Sequence, residues 1–323
     1  SLHDALPISS LIPNFTAPTA GVTITGGTVN LAAAETGIVQ SLAVSLEVGD
    51  DAALGASISV NNINDDVTTS IDNATVTAKN VYLNSNADDT IHTIAMGASG
   101  SGDIAFAGSA ATANISPSVY AMIDNNSVVT ADDNVGVIAV NEDEIETIAG
   151  AGAIGIESGG IGLSVVVNQI DGDTIASISN STVDANGFDG NDSFAVNTGE
   201  LVDAPDVSSI SAPSAFTPSL AEKQKNVSGL AVVATSDQAV AANAGTFGGG
   251  TAGGGAILPV TTIIGSNAQA FIQGGSVDAH LSGDPKSTSF RVPTLDVRAG
   301  NHSYTGQCVC AIAGGGVGIG GQI

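Results

Sequence analysis

The chain has 323 residues, with 6 Lys and Arg against 32 Asp and Glu and a formal charge of −26. Such a surface repels nucleic acid and anionic membrane and disfavours polyanionic substrates. Hydrophobic residues reach 43% but aromatics only 3%, Trp is absent and Gly numbers 41, so the core must be built from Ala, Val, Ile and Gly in narrow stacked layers rather than one broad interior.

The first eight residues, Ser1-Leu-His-Asp-Ala-Leu-Pro-Ile8, match one translated reading frame of a common sequencing adapter. They are set aside as a non-native scar, with the expectation that the chain is a fragment of a longer gene. From residue 9 onward one phrase recurs. It reads Ile71-Asp-Asn-Ala-Thr-Val-Thr-Ala78, Ile123-Asp-Asn-Asn-Ser-Val-Val-Thr-Ala131, Ile178-Ser-Asn-Ser-Thr-Val-Asp-Ala185 and Ile272-Gln-Gly-Gly-Ser-Val-Asp-Ala279. Ile24-Thr-Gly-Gly-Thr-Val-Asn-Leu-Ala32 is read as a further copy at the start.

Other positions recur in step. An Ile precedes the phrase by eight residues at Ile63, Ile115, Ile170 and Ile264, each followed by turn formers such as Asn64-Asp65-Asp66 or Asp171-Gly172-Asp173. After the phrase comes a short apolar alternation, Val81-Tyr-Leu83, Val135-Gly-Val137, Phe194-Ala-Val196 or Leu295-Asp-Val297. Small-residue runs precede it, as in Thr93-Ile-Ala-Met-Gly-Ala98 and Thr147-Ile-Ala-Gly-Ala-Gly152, with Val227-Ser-Gly-Leu-Ala-Val232 read as a third.

Within each segment the hydrophobic period is two, the mark of half-buried strands. Units of about 52–55 residues repeating the same residue at the same turn predict an all-β parallel β-helix, or β-solenoid, in which each segment stacks on its counterpart. About five segments per unit favour two three-sided circuits, with one wide flattened circuit as the alternative. An antiparallel sandwich would not require like residues at like turns.

Two stretches depart from the pattern. Residues 198–226 hold Pro205, Pro213, Pro218 and the basic pair Lys223 and Lys225, and read as a Pro/Ser-rich loop insertion between solenoid stretches 9–197 and 227–323. Its end, Ser219 to Lys225, reads as one or two helical turns. Gly245 to Gly255 carries two Gly triplets and reads as an edge loop or a flattened strand pair.

Chemistry is sparse. Gly150-Ala-Gly152-Ala-Ile-Gly155 spells a dinucleotide fingerprint but runs on as strand, without the helix that phosphate binding needs. His92, His280 and His302 lack metal spacing. Cys308 and Cys310 sit two apart on a strand, pointing to one face, which is poor disulfide geometry. Asn-x-Ser/Thr sequons at Asn73 and Asn180 fall in the repeated turn, where Asn has a conformational role. Threonines such as Thr75 and Thr77 sketch an ice-binding-type array, interrupted where Asp184 and Asp278 take the same place.

Acidic turns offer the main candidate site. Asp88-Asp89 is aligned with Asp143-Glu144, and Asp65-Asp66 with Asp171 and Asp173, while Asp189 and Asp192 bracket an oxygen-rich loop. Stacked carboxylates repel unless solvated or bridged by a hard cation such as calcium, so these ten residues are the calcium candidates. The glycine-rich calcium nonapeptide is absent, and no catalytic or other cofactor residues stand out.

The recurring phrase, the Gly/Ala strands and the Val-x-Val strands together resemble the repetitive passenger regions of large bacterial exoproteins, the filamentous-haemagglutinin-like and leukotoxin-type adhesins. The resemblance covers residues 21–197 and 227–323. It implies a secreted or surface-anchored, non-catalytic stalk on a Gram-negative cell. The partners it implies are a host-cell or matrix receptor and neighbouring repeats of one longer chain, with no direct membrane insertion. Alternatives are a calcium-stiffened secreted array, a solenoid polysaccharide lyase or hydrolase, and the ice-binding array.

Overall fold

The computed structural model describes residues 23–186, 193–202, 220–279, 294–315 and 318–322. The adapter-like segment, Asp189, Asp192, His280 and the three prolines of the insertion lie outside these. Alternating apolar and polar residues produce strands, and among the described residues there is no helix.

After the short β1 (Thr23–Thr25), the chain makes a pass of four strands: β2 (Thr28–Gly49), β3 (Ala52–Ile63), β4 (Asp66–Asp72) and β5 (Thr75–Ala78). The second pass repeats them as β6 (Asn80–Ser101), β7 (Ile104–Ile115), β8 (Ser118–Asp124) and β9 (Val128–Ala131). In the third, β10 (Val135–Gly155) and β11 (Gly159–Ile170) are followed by β12 (Asp173–Ala185), which fuses the last two strands. A hairpin, β13 (Phe194–Leu201) and β14 (Glu222–Val227), precedes the fourth pass. That pass comprises β15 (Gly229–Gly250), β16 (Gly253–Leu258), β17 (Val260–Ile264) and β18 (Asn267–Ala279), and a fifth begins with β19 (Thr294–Gly314) and β20 (Gly318–Gln322).

Each strand pairs in parallel with its counterpart in the next pass. The long sheet runs β19-β15-β10-β6-β2, and the second sheet runs β20-β16-β11-β7-β3 with β17 also on β11. The third sheet gathers β4, β8, β12 and β18, with β1, β5 and β9 continuing along the second half of β12. Pairing is antiparallel only in the hairpin, among the described residues. The break between β16 and β17 falls at Pro259, which has no N–H to offer the ladder.

The register answers two expectations. Ile71, Ile123, Ile178 and Ile272 are successive Cα partners, as are Ile63, Ile115, Ile170 and Ile264. Both ladders lead into apolar cores. Pairing partners lie one whole unit apart, for example 52 residues from Gly37 to Asp89 and 54 from His92 to Glu146. Each unit is therefore one wide, flattened pass, not the two favoured from segment counting.

Three other alignments are corrected. Ile24 pairs with Val76 and Val29 with Val81, so the first phrase is not a copy of the others. Its Gly26-Gly27, both at positive φ, sit at the corner facing Lys79, whose N–H bonds to the Gly27 carbonyl. Leu230-Ala-Val232, not Phe194-Ala-Val196, partners Val135-Gly-Val137. Val227–Val232 thus spans the end of β14 and the start of the long β15, and the true small-residue counterpart of Thr147–Gly152 is Ala242–Phe247. Glu222–Val227 is a strand, not a helical turn. The Gly245–Gly255 stretch ends β15, turns at 251–252 and opens β16, the flattened strand pair of the two readings.

The repeated turn has a backbone cause. Asn73, Asn125, Asn180 and Gly274 occupy its left-handed position at φ 48, 54, 47 and 64, where only Asn, Asp and Gly are readily accommodated. The sequons follow from that requirement.

Side chains shrink along each long strand. The core starts at Val81 and Leu83, passes Ile91, and ends in Ala95 of β6 and in Ala105 and Ala107 of β7. Beyond, the long and second sheets touch backbone to backbone. A Cβ on Gly97 would strike the Gly108 carbonyl oxygen, and one on Gly248 the Gly255 carbonyl oxygen. The pass tapers to a thin edge because these positions carry no side chain. Some of the polar groups trapped between the sheets pair with one another, while others, such as Ser57 Oγ and Asn168 Nδ2, have no partner. Asn61 donates to Ser41 Oγ and Thr93 Oγ1, both at 2.7 Å, and Thr147 donates to Asn168 at 2.7 Å.

Ile123→Ala empties a fully buried rung and should cost about 2–5 kcal/mol in chemical unfolding. Gly97→Ala should destabilise sharply, whereas Gly152→Ala, whose Cβ meets nothing within 4 Å, should be neutral or slightly stabilising.

Candidate functional site

Two rows of side chains cross the middle of the long sheet on opposite faces. Adjacent residues of a strand point to opposite sides, so Asp88-Asp89 and Glu142-Asp143 each contribute one member to each row. The inner row is Gly37, Asp89, Asp143, Gln238 and Ser303, and the outer row is Thr36, Asp88, Glu142, Asp237 and His302.

On the inner side, Asp89 and Asp143 are fully buried. Asp89 Oδ1 accepts the Gly37 N–H at 3.0 Å, and Asp143 Oδ2 accepts from Asn141 Nδ2 at 2.7 Å. Asp65, in the turn after β3, sets a second carboxyl near Asp89. Donors are scarce here: Asp65 Oδ2, Asp89 Oδ2, Asp143 Oδ1 and Asn141 Oδ1 are buried with no hydrogen-bond partner. Burial, then the charge of Asp65, push the Asp89 carboxyl up to about 7. Burial raises Asp143 well above the usual carboxylate range, against the hydrogen bond from Asn141.

On the outer side the hairpin covers the row at Glu142 and Asp237, whereas Thr36 and Asp88 are exposed. Phe194 lies beside Tyr82 with ring centroids 5.1 Å apart, in the slot left by Gly136, where a Cβ would come within 2.9 Å of the Phe194 ring. Val196 and Val227 pack on Ala231 and Val233. Cationic groups fasten the hairpin's edge. Lys225 meets Asp296 at 2.9 Å, and Arg298 reaches the Thr198 carbonyl at 3.0 Å. Beneath lies a cavity of about 450 Å³ whose lining includes Ile138, Val140, Glu142, Val196 and Glu222. Asp237, with its side chain 1% exposed, bonds to His302 Nδ1 at 2.9 Å. Burial, then the hydrogen bond and charge of Glu222, lift the Asp237 carboxyl to about 9. Burial, then Asp88 and Glu222, raise Glu142 as well.

Of the sequence-derived candidates, the structure unites Asp65, Asp89 and Asp143. Asp88 stands on the other face, and the alignment of Asp88-Asp89 with Asp143-Glu144 was one residue out, since Asp89 partners Asp143 and Glu144 partners Thr90. Asp66 and Asp173 share a corner row but are separated by Ser118. Asp173 accepts from Asn267 at 3.2 Å, and Asp171 lies against Gly265. Glu142, Asp237 and Glu222 were not singled out from sequence. Of the histidines within the described residues, His92 meets Glu146 at 3.0 Å and His302 meets Asp237 at 2.9 Å. Cys308 and Cys310 are free thiols. Among the described residues no group of three or more His, Cys, Asp or Glu has the convergent arrangement of a metal site.

No family model, curated protein or solved structure matches the chain.

Folding shields carboxyls that the unfolded chain ionises freely near 3.8. In the folded state Asp89 keeps its proton to about 7 and Asp237 to about 9. The stability tied to these protons is complete below about pH 4 and is lost as pH rises through those values. Unfolding midpoints should therefore fall between pH 5 and pH 9 (both approximate). Asp89→Asn should flatten the lower part of that fall, whereas Glu47→Gln, which removes one exposed charge, should leave the slope unchanged.

Proposed function

We propose that the chain is a segment of a parallel β-solenoid stalk, secreted or anchored at the surface of a Gram-negative cell, and that its work is mechanical rather than catalytic. The observation that carries this reading is the like-on-like register. Every pass offers the next one the same row of apolar side chains and the same unpaired strand edges, so length grows by repetition. The acidic surface keeps such a rod soluble and apart from other polyanions. Adhesion to a host-cell or matrix receptor, with neighbouring repeats above and below, is the role this architecture serves here.

A second reading, a calcium-stiffened array, is favoured by the orphaned acceptor oxygens of Asp65, Asp89, Asn141 and Asp143. A hard cation drawn among them would supply what no protein donor does.

Duplicating residues 80–133, one whole pass of 54 residues, should lengthen the particle by about 4.8 Å without changing its cross-section in small-angle scattering. A wider particle of unchanged length overturns the stalk. Antibodies against the chain should label intact, unpermeabilised source cells. For the second reading, EDTA should lower the melting temperature by many degrees; an unchanged value leaves protons alone to neutralise the inner row.

A further inference from the structure

We propose that the outer face of the second sheet carries a docking groove for a polypeptide segment joining a large apolar side chain to neighbouring Lys or Arg residues. This rests on the adhesin reading for its biological setting only, since the groove is a property of the sheet.

The groove begins where a row of large side chains stops. Leu54, Phe106 and Ile161 are successive partners pointing outward, and the next rung is Gly255. One row nearer the corner, Ile104 is followed by Gly159 and Gly253. The missing side chains leave a depression of about 510 Å³, walled by Ile104, Phe106 and Ile161 and floored by glycine backbone. This lies within the usual range for ligand sites. Phe106 and Ile161 are 43% and 44% exposed although β7 and β11 have paired strands on both sides. Their exposure is therefore not an effect of the end of the stack.

The floor cannot give way. Inward Cβ atoms on Gly160 and Gly254 would run into the carbonyl oxygens of Ala153 and Gly248 in the long sheet. The depression is thus braced by a second layer of backbone, and large apolar side chains can surround it only on the outside.

Charge selects the occupant. The corner beside the groove stacks Asp50 and Asp51 against Gly102 and Ile104 by backbone hydrogen bonds of 2.8 and 3.1 Å. Ser158, which lines the groove, donates its hydroxyl to Asp103, and Glu157 stands exposed next to it. Lys79 is the sole Lys or Arg between residues 23 and 186, and it pairs with Asp133 at 3.3 Å at another corner. An apolar depression with an acidic rim and no local cation among the described residues complements an apolar side chain with basic neighbours. A lipid surface would have to desolvate the acidic corner, and a second copy of a chain carrying −26 would set like charges face to face.

The test uses the intact chain and a fluorescein-labelled hexapeptide, Lys-Lys-Lys-Phe-Leu-Phe, in fluorescence anisotropy. Saturable binding is expected, at least about tenfold tighter than to Lys-Lys-Lys-Ala-Ala-Ala or Glu-Glu-Glu-Phe-Leu-Phe. The double substitution Phe106→Ser with Ile161→Ser should abolish that preference while circular dichroism and melting stay unchanged. Glu157→Gln should weaken binding of the basic peptide and reduce its salt dependence. Equal affinity for the alanine peptide, or indifference to the double substitution, overturns the groove. So does self-association lost on that substitution, which identifies a second copy as the occupant. None of these outcomes bears on whether duplicating a pass lengthens the particle.

Discussion

Everything in this molecule depends on parallel pairing between residues one full unit apart. That offset places each side chain against its own counterpart, so the chain needs residues that tolerate their own kind as neighbours. Ile on Ile, Val on Val and Ala on Ala satisfy this without directional chemistry. Asparagine does so by bonding to itself, as where Asn134 donates to Asn80 Oδ1 at 3.1 Å and Asn84 to Asn30 Oδ1 at 3.2 Å. Carboxylates do not. Asp89 beside Asp143 is the point where the stacking rule and electrostatics disagree, and burial settles the conflict by raising both carboxyls.

The same rule explains the taper. A pass of 52–55 residues built around a single wide core would need large side chains to fill it. This chain instead narrows its interior from Val and Leu through Ile to Ala and finally to bare glycine backbone. Where the sheets touch, the interior has no volume left to bury, and the large apolar residues of that region stand outside. Ile104, Phe106, Ile154 and Ile161 are at least 40% exposed for this reason. Surface apolarity and interior glycine are thus two consequences of one thin cross-section.

Much of this was legible in the sequence, and the failures have physical causes. The Ile rungs and the Asn turns were readable because each must recur at a fixed place in every pass. The number of circuits per unit was not, because periodicity reports the repeat length and says nothing about how a chain closes within it. Register failed by one residue at Asp143 for a related reason. Strands keep a constant offset, but corners absorb insertions, so the offset is 54 at His92 and Glu146 and 55 at Ser109 and Ser164. Carrying 55 back into the long strand misplaces its acidic residues by one and turns them to the wrong face.

The hairpin escaped notice because it obeys none of these rules. Its strands pair with each other and not with a counterpart, so no repeat announces them, and Phe194-Ala-Val196 imitates the alternation of a rung. What marks the hairpin is charge. In a chain with so few cations, Lys223, Lys225 and Arg298 gather at its edges, on Glu200 and Asp296. They hold in place a lid that sets Glu222 against Asp237 and Glu142, an arrangement that repels once all three are ionised. The lid therefore stays closed through apolar packing of Phe194, Val196 and Val227, with the retained proton removing the main opposing force. The one part of the described chain that is not repetitive is also the part that depends most on specific pairing.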